Sequence, residues 1–588
     1  MPVNTSSAPS LPTYSVWAPH AHDMQVEVNG VIHLLSRDTS RRGWWVSDVP
    51  MVDGDRYGFR LDYGNGEGFT DTVPDPRTRR QPDGVLGLSQ VYTDTFEWSD
   101  AGWTGRILPG MVIYELHVGA FTPEGTFAGV ETKLDYLADL GVTAIELMPV
   151  QPCYGDFNWG YDGVDWHCVT ELYGGPDGLK HLVNAAHATG IAVILDVVYN
   201  HFGPDGNYTG MFGPYMTSGA TDWGDVINYA GRGSHEVRAY VRDAAAGWLR
   251  EFHIDGLRLD AIQTIVDPSP TSIVEEIVHV AATVEAETGI PRTIIGETDA
   301  DDPRLTLPRP YGVGLDAVWH DDLHHALHTS VSGEQHAYYS DFHGVKELFT
   351  TITSGFFYQG GYSGFRDRNV GGHLDLATTP AYRLVSYTTD HDQTGNRPRG
   401  DRPSMNLTEQ QLALKWAVLA TNPMTPMIFM GEEFGALTPF PFFAQHSSPD
   451  LDAATCEGRA RSFSYQGLST EGMPVPADPA TFASARLDWA FTTENGRLRE
   501  HYERMLELRG KLGFNHPWLS ELTADMVDDA VVWYGHATGI IVCNFSDTER
   551  TAPIGGELVY SFGDPVTVTV HSTVLGPWGF AVLIPAGP

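Results

Sequence analysis

Residues 256 to 263 read GLRLDAIQ, an apolar run interrupted by Arg258 and Asp260 two positions apart. Alternation along a strand places both on one face. Charges among leucines cost desolvation energy unless they are paired. The two are therefore either a buried structural ion pair or part of a site. Other apolar runs end in the same manner. Asp196, Asn200 and His201 follow AVIL, Glu297 follows TIIG, Asp390, His391 and Asp392 follow YRLVSYTT, and Glu432 and Glu433 follow PMIFMG. Carboxylates gathered at close range raise one another's pKa, and a structural role explains such a set poorly. Two carboxylates with separated pKa values are what glycosidic cleavage needs: one attacks or stabilises the anomeric carbon, the other protonates the leaving oxygen. Arg258 would keep Asp260 ionised, as suits a nucleophile. Glu297, behind an apolar run, would be partly desolvated and hold its proton near neutral pH, as suits a general acid. Tyr161, Trp166, Trp223, Phe356 and Phe357 offer aromatic faces for sugars, or core packing.

Positioning these residues calls for a repeated framework. MVIYELHVG, TAIELMPV, IAVILDVVYN, IDGLRLDAI, RTIIGE, GLDAVWHDD, YRLVSYTTDHD and PMIFMGEE read as eight strands, most separated by helical segments. Helices are expected over 125–142, 176–190, 235–252, 271–287 and 407–421. The third carries Val237, Tyr240, Val241, Ala244, Ala245, Trp248 and Leu249 at helical spacing. Alternation of this kind implies a parallel sheet, and eight units point to an α/β fold, a (β/α)8 TIM barrel with insertions, whose chemistry sits at the C-terminal ends of the strands. Short aromatic and β-branched runs before and after it predict small β-domains. The expected division is 1–104, an N-terminal immunoglobulin-like β-sandwich and linker; 105–512, the barrel; and 513–588, a C-terminal β-sandwich.

The chain has 588 residues, with 36 basic against 75 acidic side chains and a formal net charge of -39. Such a surface repels nucleic acid and anionic membranes and reads as a solubilising or salt-adapted face. Cys153, Cys168, Cys456 and Cys543 show neither CxxC pairing nor metal-ligand spacing, so neither disulfide framework nor metal site is expected. The opening MPVNTSSAPSLPTYSVWAP lacks a basic stretch followed by an apolar one, and no apolar segment approaches membrane-spanning length. A cytoplasmic, monomeric protein without cofactor is the expectation.

DVVYNH (196–201), GLRLD (256–260), IIGE (294–297) and DHD (390–392) resemble, in order, the four short barrel motifs of the α-amylase family of glycoside hydrolases. The resemblance implies a retaining enzyme with Asp260 as nucleophile, Glu297 as acid/base and Asp392 as transition-state stabiliser. It implies that Arg258, His201 and His391 line the subsite of the cleaved sugar and that Tyr161 in WGYDGV stacks on its ring. Leu259, Ala261, Ile262 and Gln263, and Gln393, Thr394, Gly395 and Asn396, flank the acids and join the substrate-binding set. VIYELHVGAFTPEGTF (112–127), PDPRTRRQPDGVLGLSQV (74–91), WHDDLHHALHTSVSGEQHAYYSDF (319–342), HDQTGNRPRGDR (391–402), MGEEFGALTPFPFF (430–443) and DPATFASARLDW (478–489) are similar to the trehalohydrolase branch of that family. Its members hydrolyse the α-1,4 bond beside the terminal trehalose of maltooligosyltrehalose and related α-glucans. By the same resemblance, His320, Asp321, Asp322, His324 and His325 border the trehalose-side subsites. Three positions and one stretch depart from the family pattern: His320 and Gln263, where Asn and His are usual, Asp390, where Asn is frequent, and DWHCV (165–169), where LYAP is usual. They bear on subsites and chain-length preference, not on the acids. Two rivals stand beside this reading: a glucan branching enzyme using the same acids, and a non-catalytic glucan-binding protein on the same fold.

Overall fold

A computed structural model describes residues 14–221 and 224–585. Its centre is a closed barrel of eight parallel strands: β1 (Ile113–Leu116), β2 (Ala144–Leu147), β3 (Ala192–Val197), β4 (Gly256–Leu259), β5 (Thr293–Gly296), β6 (Ala317–Trp319), β7 (Leu384–Tyr387) and β8 (Thr425–Phe429). β8 closes on β1 with Met427 opposite Ile113. Every residue of these strands is buried. That explains the continuous apolar runs: a parallel sheet is covered on one side by helices and filled with side chains on the other.

Helix α1 (Ser234–Glu251) buries the whole predicted stripe against the barrel and leads into β4. The helix expected over 271–287 spans Ile273–Thr288, its first turn fixed by a capping box between Ser272 and Glu275. The helix expected over 407–421 spans Glu409–Thr421 behind a second such box, Thr408 with Gln411. One expectation changes. The single helix over 125–142 is two, Phe127–Glu131 and Leu134–Leu140. Thr132 ends the first because its amide and hydroxyl both donate to the Gly129 carbonyl, the local competition that short hydroxyl side chains offer a helix.

Two sheets precede the barrel. One joins Ser15–Trp17, Trp44–Val46 and Ser36–Arg37; the other joins Val31–Leu34, Asp23–Val28, Arg56–Asp62 and Ser89–Gln90. Met24, Val26 and Val28 alternate inward. The barrel and these sheets share a core, with Trp17 edge-on to Tyr215 at 5.4 Å and Phe59 edge-on to Phe212 at 6.1 Å. After the barrel come a five-stranded and a three-stranded sheet, Thr523 to Pro585. The fold class is therefore the one expected. All four cysteines are free thiols. Among the described residues no helix is long and apolar enough to cross a membrane.

Candidate active site

β3 and β4 pair with Asp196 opposite Arg258. The Arg258 side chain is fully buried and aims into the barrel end. Its Nη1 donates to Asp196 Oδ2 at 2.8 Å and to Asp260 Oδ1 at 2.8 Å, and its Nη2 lies 2.8 Å from Glu297 Oε2. The ring of Trp319 covers the guanidinium, 4.2 Å from Cζ. One buried cation is thus matched by three carboxylates, the compensation that a desolvated charge requires.

Asp260 stands one residue past β4. The next residue, Ala261, adopts φ +40°, a left-handed turn that costs a non-glycine residue energy. The turn points the Ala261 amide at Glu297 Oε2, 2.7 Å away. Asn200 Nδ2 donates to Asp260 Oδ2 at 2.6 Å and to its carbonyl at 2.8 Å. Asp392 lies in a short helix α2 (His391–Gly395), capped by Asp390, whose Oδ1 accepts from the Gln393 amide at 2.7 Å. Asn396 Nδ2 donates to Asp392 Oδ1 at 3.0 Å. Tyr161 OH donates to Asp196 Oδ2 at 2.6 Å and meets His391 Nε2 at 3.0 Å, their rings stacked.

Exposure separates two groups. The side chains of Asp260, Glu297 and Asp392 are 12%, 21% and 37% exposed, whereas Arg258 and Asp196 are 0% and 2%. Three acids open to the rim over a buried support. Burial lifts Glu297 well above the ordinary carboxylate range; Arg258 opposes this, and Asp260 and Asp392 add to it. Burial likewise pushes Asp196 up to about 6 against the pull of Arg258. Burial would depress His391, but Glu115 and Asp392 outweigh it and hold the imidazole well above its usual value.

The structure therefore brings Tyr161, Asn200, Arg258, Asp260, Glu297, His391, Asp392 and Asn396 together. His201 sits beside them, its ring bonded to Asn200 Oδ1 and, at 2.9 Å, to the Tyr161 carbonyl. Leu259 and Ile262 are buried packing residues, and Gln263 is exposed. Thr394 is fully buried against Thr389, and Gly395 lies against the ring of Trp159. Gln393 helps line a small cavity with His328, Glu334, Tyr339 and Arg397.

The HDDLHH stretch, expected from its first residues to end a strand, instead opens a helix. Its residues from Asp321 open helix α3, assigned here to Asp321–Ser332 and lying before α2 in the chain, packed along β7. His320, His324 and His325 are 1%, 1% and 4% exposed, as buried as His391 at 1%. His320 Nδ1 bonds Ser386 Oγ at 3.0 Å, and His324 uses both nitrogens, on the Thr388 carbonyl and Tyr339 OH at 2.8 Å each. Burial depresses His320 to about 4 and His325 to about 3, so both are neutral. Asp321 accepts from Tyr387 OH, and Asp322 accepts from the Phe357 amide at 2.6 Å. Glu432 and Glu433 also leave the rim: Glu433 accepts from Tyr136 OH at 2.9 Å and Glu432 from Tyr502 OH at 2.9 Å, between the barrel and its helices. Trp166 stacks on Phe202 at 4.0 Å and Phe356 is buried, so both are core; Trp223 lies outside the described residues. Sequence reasoning missed Glu115 on β1, which touches His391, and Glu146 beside it on β2. The signal was present: each is a charge inside a continuous apolar run, as in GLRLD.

A carboxylate paired with a cation, a second carboxyl whose pKa burial raises, and a third acid at the opening form a set able to cleave a glycosidic bond. Comparison with known proteins agrees. Residues 90–224 match the model of the alpha amylase catalytic domain. The chain is 44% identical to the malto-oligosyltrehalose trehalohydrolase of Mycobacterium tuberculosis, over 98% of this chain and 100% of that one. It is 43% identical to the protein of the same name from Rhizobium sp., over 97% of each. A solved structure from Salmonella typhimurium bearing an alpha amylase name superposes with a TM-score of 0.87 at 33% identity, over 97% of both chains. On its barrel, its cluster of acids and this near-complete likeness, the chain belongs to the malto-oligosyltrehalose trehalohydrolase family, within the α-amylase group of glycoside hydrolases.

Proposed function

We propose that this protein hydrolyses the α-1,4-glucosidic bond next to the terminal trehalose of maltooligosyltrehalose, releasing trehalose and a maltooligosaccharide with retention of configuration. The observation that carries the chemistry is the Arg258 fork, with Asp260 on one nitrogen and Glu297 on the other. Carboxylates sharing one guanidinium suit the short separation of retaining enzymes, about 5–5.5 Å, rather than the longer inverting one. The full-length kinship with trehalohydrolases carries the choice of substrate.

The Asp260 carboxylate attacks the anomeric carbon as the bond to the leaving oxygen breaks. Glu297 gives its proton to that oxygen, and trehalose departs. Water then enters, Glu297 takes one of its protons, and the hydroxide oxygen attacks the anomeric carbon and frees Asp260. Asp392, held by Asn396 and beside His391, faces the sugar where positive charge develops. Arg258 keeps Asp260 oriented throughout, and Tyr161 with His391 supports the sugar in this subsite.

A branching enzyme would differ in the second step, passing the glycosyl group to a glucan hydroxyl instead of water. A binding protein would turn over nothing. Incubation with maltooligosyltrehalose and, separately, with amylose distinguishes them by chromatography. Trehalose from the first with no branched product from the second is the expected result; branched glucan without trehalose, or no product, overturns the reading. The accompanying proposal is a cytoplasmic monomer acting in trehalose formation, checked by a single-chain mass in light scattering and by fractionation of cells.

A further inference from the structure

The interior of a barrel of this type is ordinarily filled by branched apolar side chains. Here β1 and β2 pair with Glu115 opposite Glu146, and both residues are 1% exposed. Burying two carboxyls side by side is costly unless each has a use. Glu115 has both oxygens engaged by a single residue. Its Oε1 lies 2.5 Å from His391 Nδ1, and its Oε2 accepts from the His391 backbone amide at 3.1 Å. It therefore fixes both the ring and the chain immediately before Asp392. The other ring nitrogen, Nε2, faces Tyr161 OH at 3.0 Å and Asp392 Oδ2 at 3.6 Å.

We propose that Glu115 is a positioning residue for the reaction, holding His391 as an imidazolium so that Asp392 keeps its charge and its aim at the sugar. This rests on the role given to Asp392 above. An imidazole between carboxyl groups on its two nitrogens gains by carrying a proton on each. The groups facing it are Glu115 on β1, Glu146 on β2, Asp196 on β3, Asp390 and Asp392 on its own helix, Tyr161, and, on the opposing side of the balance, His117. Glu146 plays a different part. Neither of its oxygens has a hydrogen-bond partner among the described residues. Burial, then Glu115, push its pKa well above the usual range. Glu115, with both oxygens turned to His391, is the member of the pair placed to carry a negative charge.

Two isosteric substitutions separate charge from shape. Glu115→Gln keeps the shape and one acceptor for Nδ1 but carries no charge; its NH2 replaces the acceptor of the His391 backbone amide, a loss that acts equally at every pH. Glu146→Gln replaces one neutral group by another. Profiles of kcat and KM against pH are measured for both, for Glu115→Asp, and for the parent. His391 is followed by NMR titration of 15N-histidine protein, with His391→Gln assigning its resonance. The E115Q enzyme is expected to lose kcat about 10-fold at neutral pH with little change in KM, its alkaline limb moving down by about one pH unit as His391 loses its proton earlier. E146Q is expected to superpose on the parent, and E115D to keep the parent's limb. Loss by one factor at every pH in E115Q, an unchanged E115Q, or an E146Q limb that moves as far as that of E115Q overturns the proposal. So does a parent His391 that is neutral at pH 7, a measurement that needs no Glu115 variant. The titration is independent of substrate, so its failure is distinct from a failure to release trehalose.

Discussion

Asp260 owes its pose to two donors, Arg258 beneath and Asn200 from the loop after β3, and to the strained turn at Ala261 that ties its neighbour to Glu297. Asp260→Asn keeps the shape and removes the proposed nucleophile. Turnover of maltooligosyltrehalose is expected to fall by at least about 10^4-fold while glucan binding, measured by calorimetry, persists. Asn200→Ala removes a hydrogen bond to a charged group, worth about 1.5–3 kcal/mol, so kcat/KM should fall about 10- to 100-fold with the fold intact by circular dichroism. The charged members of this site were legible because each breaks an apolar run at the same end of a strand. Their partnerships were not. Nothing local in YELHV or in DHD says that Glu115 lies 2.5 Å from His391, 276 positions on; only closure of β8 on β1 brings them together.

At the level of elements, the five-residue helix α2 must deliver Asp392 without slack. Its last residue is Gly395, where a Cβ would stand 2.1 Å from the ring of Trp159. That ring is itself stacked on Phe440 and bonded through Nε1 to the Pro441 carbonyl at 3.2 Å, so it has nowhere to go. Gly395→Ala is expected to push the helix off the barrel end. Overpacking of this kind costs about 1–3 kcal/mol, visible in the denaturant midpoint, and kcat should fall more than stability does. The strands and most helices could be read from periodicity and caps. α3 could not, because HDDLHH is polar and polar residues read as surface. His320, His324, Asp321 and Asp322 instead bond to Ser386, Thr388, Tyr387, Tyr339 and the Phe357 amide, groups supplied by β7 and by distant loops.

At the level of the whole molecule, the N-terminal sheets are joined to the barrel in two ways. Arg77, Arg79 and Arg80 pair with Asp243, Glu251 and Glu171, but pairs of this exposure contribute little each and are screened by salt. The aromatic contacts are dry: Phe212 and Phe59 are both fully buried. Phe212→Ala is therefore expected to cost about 3–5 kcal/mol and to split the calorimetric melt into two transitions, whereas 0.5 M salt leaves the parent with one. A melt that stays single in the variant would mean that the ion pairs, not the rings, unite the two parts. With a formal charge of -39 over the chain, the molecule otherwise repels its own kind, and the three arginines are spent on its own acids.

The Arg258 fork has a consequence in time. Because Asp260 and Glu297 share it, the state of one is felt by the other. When Asp260 becomes an ester it gives up its negative charge, one of the influences that keep the proton on Glu297. The guanidinium, still paired with Asp196, then draws more strongly on Glu297, whose hold on a proton weakens at the moment the proposed reaction needs a base. In the mechanism proposed above, a single cation thus makes the site alternate, acid in the first half and base in the second, with the glycosyl ester itself as the trigger.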